Sequence, residues 1–259
     1  MTTSLSPRTL GFDAAPSAPG AIPFSRLVRV EWAKATDTRA ARWLLALVGL
    51  STAGMMLVPV LVPTTFDQTY ASYLRVAALG LSILLPVVAI LMFTGDWSQR
   101  SVMTTFTQEP RRIRVLNAKL AVSMVLGGGG AVFGGVVAAA GVGLASASGR
   151  ALEANLSVGA ITSYLLYVLL NVLAAVALGA LLQNSAATIA ASFALPAALA
   201  VLGTASTLVS EWIDMATTWS WVLENEWGGH GPQISVSVLF WVVIPLAAGA
   251  VRTLRRDVG

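Results

Sequence analysis

From Ala154 to Ser210 the chain carries no charged residue, and none lies between Arg42 and Asp67. A helix needs about 20 predominantly apolar residues to cross the bilayer core. The second of these runs exceeds that length, and the first is far too long for one crossing. A transmembrane β-barrel would instead alternate apolar and polar residues in roughly ten-residue segments. Composition points the same way: 56% of residues are hydrophobic and 11% charged, where soluble domains carry about 25% charged residues. The expected class is an all-α integral membrane protein with six transmembrane helices.

The spans are expected near residues 43–62, 76–94, 120–148, 157–182, 186–209 and 234–251, within a transmembrane domain of 42–251. Pro59 and Pro63 mark the far end of the first. Gln183-Asn184-Ser185 is the most polar interruption in the long uncharged run, so a tight turn there makes the fourth and fifth spans an antiparallel pair, and Pro196 should bend the fifth. The third span holds Gly127–Gly130, Gly134, Gly135, Gly141 and Gly143. Small residues permit close helix approach, and four consecutive glycines weaken a helix, so a kink or break is expected beside close packing.

Residues 1–23 read as a disordered tail. Over 24–41, Phe24, Leu27, Val28, Trp32 and Ala35 recur on one helical face while Arg26, Arg29, Lys34 and Arg39 lie off it. This predicts an amphipathic helix in the headgroup layer. The stretch 211–231 carries Glu211, Asp214, Glu224 and Glu226 without a basic residue, together with Trp212, Trp219, Trp221 and Trp227. Tryptophan favours the membrane–water boundary, so short outer-leaflet helices are expected before the sixth span. All the 16 lysines and arginines except Arg75 and Arg150 fall before the first span, between the second and third, or at 252–259. The positive-inside rule then places both termini and the loop 95–119 in the cytoplasm.

Chemistry-bearing motifs are scarce. The chain has no cysteine and one histidine, His230, which argues against thiolate catalysis and a histidine-rich metal centre; no catalytic residue or metal ligand is assigned. The net charge of +4 reads as cytoplasmic flanking charge, not nucleic-acid binding. The expected spans lack the internal Asp, Glu, His or Arg of ion-coupled carriers. No GxxxxGK[ST] phosphate cradle is present, so ATP could drive the protein only through another chain. The loop 95–119, GDWSQRSVMTTFTQEPRRIRVLNAK, is the one long handle for such a partner. A channel or ion-coupled carrier subunit, and a membrane scaffold for an enzyme complex, remain open as alternatives.

The lead-in RLVRVEWAKATDTRAARWLL with its Glu31-x-x-Lys34, the loop GDWSQRSVMTTFTQEPRRIRVLNAKL, and the interfacial segment before the last span together resemble the membrane-spanning permease subunits of the ABC transporter type-2 (exporter) family. Asp96 stands where that family's pattern has Glu. The resemblance implies a permease subunit of an ATP-driven exporter in the cell (plasma) membrane, in bacteria the inner membrane. Its partners would be ABC ATPase subunits holding ATP and Mg, a second permease subunit, and membrane lipids. A coupling helix would map to about Gln99–Pro110, with Arg100, Thr104, Thr105, Glu109, Pro110, Arg111 and Arg112 as coupling residues. Arg111, Arg112 and Arg114 fit equally as lipid anchors, and Asp96 would pair with a basic neighbour or cap the coupling helix. Ser82, Thr188 and Ser192 become candidates for lining a pathway at the dimer interface. Hydrogen bonds between helices are the competing reading of those three and of Asn171.

Overall fold

The computed structural model of the chain describes residues 22–99, 105, 107, 109, 111–151 and 156–255. Among them there is no strand, and six helices are long and apolar enough to cross a membrane. The order is α1 (Phe24–Thr36), α2 (Arg39–Leu61), α3 (Tyr70–Ser98), α4 (Arg112–Ala147), α5 (Val158–Leu182), α6 (Ser185–Gly203), the short α7 (Thr207–Trp212) and α8 (Met215–Leu223), and α9 (Trp227–Arg255).

Several helix starts follow from local side-chain chemistry. A Ser, Thr, Asn or Asp just before a helix can accept from backbone N–H groups that have no partner within the first turn. Thr38, Thr69, Ser157, Asn184 and Asp214 do this for α2, α3, α5, α6 and α8. Thr38 ends the expected 24–41 helix early: α1 stops at Thr36, and a separate α2 starts at Arg39. Between α5 and α6 the turn lies at Gln183-Asn184 as expected, with Gln183 left-handed at φ 53°. The other end of α2 is closed by Arg150, whose guanidinium donates to the Val60 carbonyl at 2.6 Å.

The glycine run does not break its helix. Helix α4 runs through Gly127–Gly130 without interruption. The glycines divide by environment: Gly127, Gly130, Gly134 and Gly141 press on neighbouring side chains, while Gly128, Gly129, Gly135 and Gly143 border open space. Close approach is their role at the first four positions. Tyr164 shows how close: its hydroxyl donates to the Ala131 carbonyl at 2.6 Å, and a Cβ on Gly134 would collide with that same oxygen.

The core is built on α3 and α5, the two most buried of the long helices. Tyr73, Leu81 and Phe93 of α3 pack there with Val168, Val172 and Val176 of α5. A second cluster joins α5 to α8 and α9 through Leu170, Leu178, Trp219, Val222 and Trp241. Trp219 is a core residue, not a boundary residue: it is 1% exposed and its indole N–H donates to Ser237 at 3.2 Å. Trp241 likewise donates to the Ile213 carbonyl at 2.8 Å. Around Trp241 the helix widens into a π turn, Leu239–Val243. Pro245 accounts for it: proline has no N–H, and its ring clashes with the carbonyl four residues back, here Trp241. Further along α9, Gly249 lies directly against the Ala180 backbone. Helix α6, by contrast, is almost wholly uncovered.

Candidate functional site

Four charged side chains close a ring where α1, the end of α3 and the start of α4 meet. Lys119 Nζ lies 2.7 Å from Glu31 Oε2 and 2.9 Å from Asp96 Oδ2. Lys34 Nζ lies 2.7 Å from Glu31 Oε1 and 3.2 Å from Asp96 Oδ1. Two cations thus alternate with two carboxylates, and the ring is neutral. Glu31 (3% exposed), Asp96 (7%) and Lys119 (1%) are buried, so only the Lys34 side chain reaches solvent. The Trp97 ring adds a face 6.0 Å from Lys119 Nζ.

Desolvating ions is costly, and a buried pair persists only where geometry and hydrogen bonds offset the loss of water. The fold meets that condition through helix spacing. Glu31 and Lys34 are three apart on α1, so they share a face and turn it to Asp96 and Lys119. This adds an inward polar face to the expected apolar face of α1. Its most buried side chains are Glu31 and Ala35, while Phe24 and Trp32 are exposed. Charge neutralisation also explains why α3 runs on past residue 94 through Asp96, and why α4 begins well before residue 120.

Burial lowers the pKa of Lys34, but the hydrogen bond and charge of Glu31, followed by those of Asp96, outweigh it and hold the ammonium above the ordinary lysine value. A lysine raised on folding adds stability fully present below its unfolded value near pH 10.4 and lost as pH rises through the folded value. We therefore expect the wild-type melting midpoint to owe no slope to Lys34 between about pH 6 and about pH 9. A Lys34→Met variant should melt lower by a constant offset across that range, measured in detergent.

The end of α3 is also tied in a second direction. Thr94 and Ser98, one turn apart, both bond to the Ser185 hydroxyl at 2.7 Å, and the Ser185 backbone N–H donates to Ser98 at 3.2 Å. Asp96, between them in sequence, points the opposite way around the helix. One helix end therefore holds the ionic ring on one side and the start of α6 on the other.

Of the sequence-predicted coupling residues, Arg100, Thr104 and Pro110 lie outside the described residues. Thr105 lines a cavity of about 670 Å³ together with Glu31, Lys34, Asp96 and Glu109. Glu109 is buried (4% exposed) and pairs with Arg114 at 2.6 Å. Arg112 donates to the Thr253 carbonyl in α9 at 2.9 Å, where Gln183 also donates to the Thr253 hydroxyl at 2.9 Å. Arg111 is exposed. Arg112 and Arg114 thus serve contacts within the chain, and of the three arginines only Arg111 stands at the surface.

The three pathway candidates separate. Ser82 and Ser192 face one small cleft of about 50 Å³, which Asn171 and Trp241 also line. Each bonds back within its own helix: the Ser82 hydroxyl donates to the Leu79 carbonyl, the Ser192 hydroxyl to the Ile189 carbonyl and the Asn171 amide to the Tyr167 carbonyl. Thr188 is fully buried at 0% exposure, and its hydroxyl donates to the Asn184 carbonyl at 2.7 Å. No group of three or more Asp, Glu or His able to hold a metal ion occurs among the described residues. Of the acidic outer stretch, Asp214 caps α8, and His230 stacks on Trp221 with ring centroids 3.8 Å apart.

The sequence puts Glu31 and Lys34 in the lead-in motif, and Asp96 and Lys119 at the two ends of the loop 95–119. Their meeting is a tertiary contact between segments 62 and 88 residues apart, which no local periodicity records. The available signal was the scarcity of charge, since a lone Asp and a lone Lys beside membrane spans need partners. No family model matches this chain, and no curated protein or solved structure matches it.

Proposed function

We propose that this chain is the membrane-spanning permease subunit of an ATP-driven exporter of the ABC type-2 class, working as a dimer with separate ATPase subunits that carry ATP and Mg. The observation that carries the reading is the double attachment of the α3 end. The segments that resemble that class, the lead-in, the α3 end and the start of α4, supply the residues that close the ionic ring, with Asp96 standing where the class has Glu. The same helix end holds α6 through Ser185. A partner docked on the 95–119 segment would push on a rigid block of α1, α3 and α4, and Ser185 would pass the displacement to α6. Two further features support the assignment. Basic residues crowd the end of the molecule that carries this block, as on a cytoplasmic face. The nearly uncovered α6 offers its alanine-rich surface to a second permease subunit.

In this mechanism closure of the two ATPases drives the block inward and the spans switch from inward- to outward-facing. The residues of this chain position and transmit; the chemistry of ATP cleavage belongs to the partner. Mild-detergent purification from native membranes should recover an ATPase with this chain, and reconstituted vesicles should show nucleotide-stimulated flux only with both present. Flux by the chain alone would instead support a channel or ion-coupled carrier.

Transmission has its own test. Ser185→Ala removes both hydroxyl bonds to α3, and each hydrogen bond contributes about 0.5–1.5 kcal/mol. We expect ATP hydrolysis by the assembled complex to persist while transport per ATP falls about five- to tenfold. Unchanged transport per ATP would remove Ser185 from the coupling route.

A further inference from the structure

An apolar groove of about 210 Å³ opens on the outer side of the helices where Trp32 of α1 meets α2 and α4. Leu45 and Gly49 form one wall, Val125 and Phe133 the other, and Gly129 and Gly130 the floor. The floor is open because Gly129 carries no side chain: a Cβ there would meet nothing within 4 Å. From Val125 to Phe133 the helix rises about 12 Å, close to the roughly 15 Å of one leaflet's hydrocarbon. Trp32 (39% exposed) and Trp43 (77% exposed) mark the level of the headgroups at its lower end. Arg29 and Arg42 sit one helical turn from the lining residues Trp32 and Leu45 and are exposed. Neither has an ion-pair partner among the described residues.

We infer that this groove holds one acyl chain of an anionic phospholipid, with its headgroup phosphate on Arg29 and Arg42. The apolar trough matches a hydrocarbon chain in polarity and in length along the helix. Arg29 and Arg42, one turn from the lining and without an ion-pair partner among the described residues, supply the complementary charge, and basic sites at the cytoplasmic ends of membrane helices favour anionic headgroups. A lipid seated there bridges α1 to α2 and α4 through the Trp32 side of α1, so the lead-in helix is held by the lipid as well as by the ionic ring. The inference rests on the membrane-crossing reading of the helices and is independent of any ATPase.

The test is native mass spectrometry of the full chain released from nanodiscs of equal phosphatidylglycerol and phosphatidylcholine. Wild type should retain one phosphatidylglycerol, enriched about fivefold for each arginine engaged. Gly129→Leu fills the groove and should lose the retained lipid. Gly128→Leu, where a Cβ also meets open space outside the groove lining, should keep it. Arg29→Gln with Arg42→Gln should retain a lipid without headgroup preference. A phosphatidylglycerol carrying a diazirine in its acyl chain, applied to wild type, gives a readout that no variant's folding can disturb and should label the Val125–Phe133 region above all other spans. The inference is overturned if Gly129→Leu retains lipid like wild type, if the paired arginine variant keeps the full preference, or if label spreads evenly over the spans. A change of oligomeric state in Gly129→Leu without lipid loss would overturn it too, assigning the groove to a second copy. Transport failing while lipid retention stands would count against the exporter reading alone.

Discussion

Lys119→Met is expected to be the most damaging single substitution at the ionic ring. Methionine preserves most of the volume, so the loss isolates charge. Removing the lysine leaves Glu31 and Asp96, both buried, with the half-exposed Lys34 as the ring's remaining cation. Breaking a buried pair by deleting one partner costs about 3–5 kcal/mol, because the remaining charge stays desolvated. The thermal midpoint in detergent should fall accordingly, and transport should be lost with it. Lys34→Met, at the solvent edge, should cost on the order of 1 kcal/mol or less. Adding Asp96→Asn to Lys119→Met restores neutrality and should recover about 1–3 kcal/mol of coupling. If the double variant is no more stable than the single one, the ring is not the source of the loss.

Gly249→Ala should be the most damaging methyl addition. A Cβ there would collide with the Ala180 carbonyl carbon and lie 2.6 Å from its oxygen. Those are backbone atoms of α5, so no side chain can swing away and the two helices must separate. Overpacking of this kind costs about 1–3 kcal/mol. Thr253 would move with α9, opening its contacts to Arg112 and Gln183. Gly143→Ala is the matched control: nothing lies within 4 Å of its added methyl, and in a helix interior alanine is favoured over glycine by up to about 1 kcal/mol. The pair should therefore shift the melting midpoint in opposite directions. A Gly249→Ala protein melting like wild type would mean that α5 and α9 are not in close contact.

These variants also show where sequence reading succeeds and stops. Uncharged run length located the six long helices because membrane crossing is a local demand on consecutive residues. Charge then misled at the ends. Asp96 and Lys119 were placed in a loop, yet α3 reaches Ser98 and α4 starts at Arg112, since each charge finds its counter-ion on another helix. Trp32 marked an apolar face for α1, while Glu31 turned out to be the inward residue, because burial there is decided by Lys119 in a helix 88 residues away. The glycine run in α4 signalled weakness in isolation; packing against Leu85, Tyr164 and Met56 keeps the helix whole. Of the candidate site, the separate motifs were legible and the ring they close was not.

The wide turn at Leu239–Val243 divides the last helix into two lengths with different anchors. Above it, Ser237 is fastened to Thr218 and Trp219, and Trp241 at its centre reaches Ile213. Below it, Gly249 is locked to α5. A polypeptide rod clamped at both ends and loosened in the middle yields in the middle. Any tilt imposed on one half would therefore be taken up within those five residues, and α8 would move with the half that Ser237 ties to it.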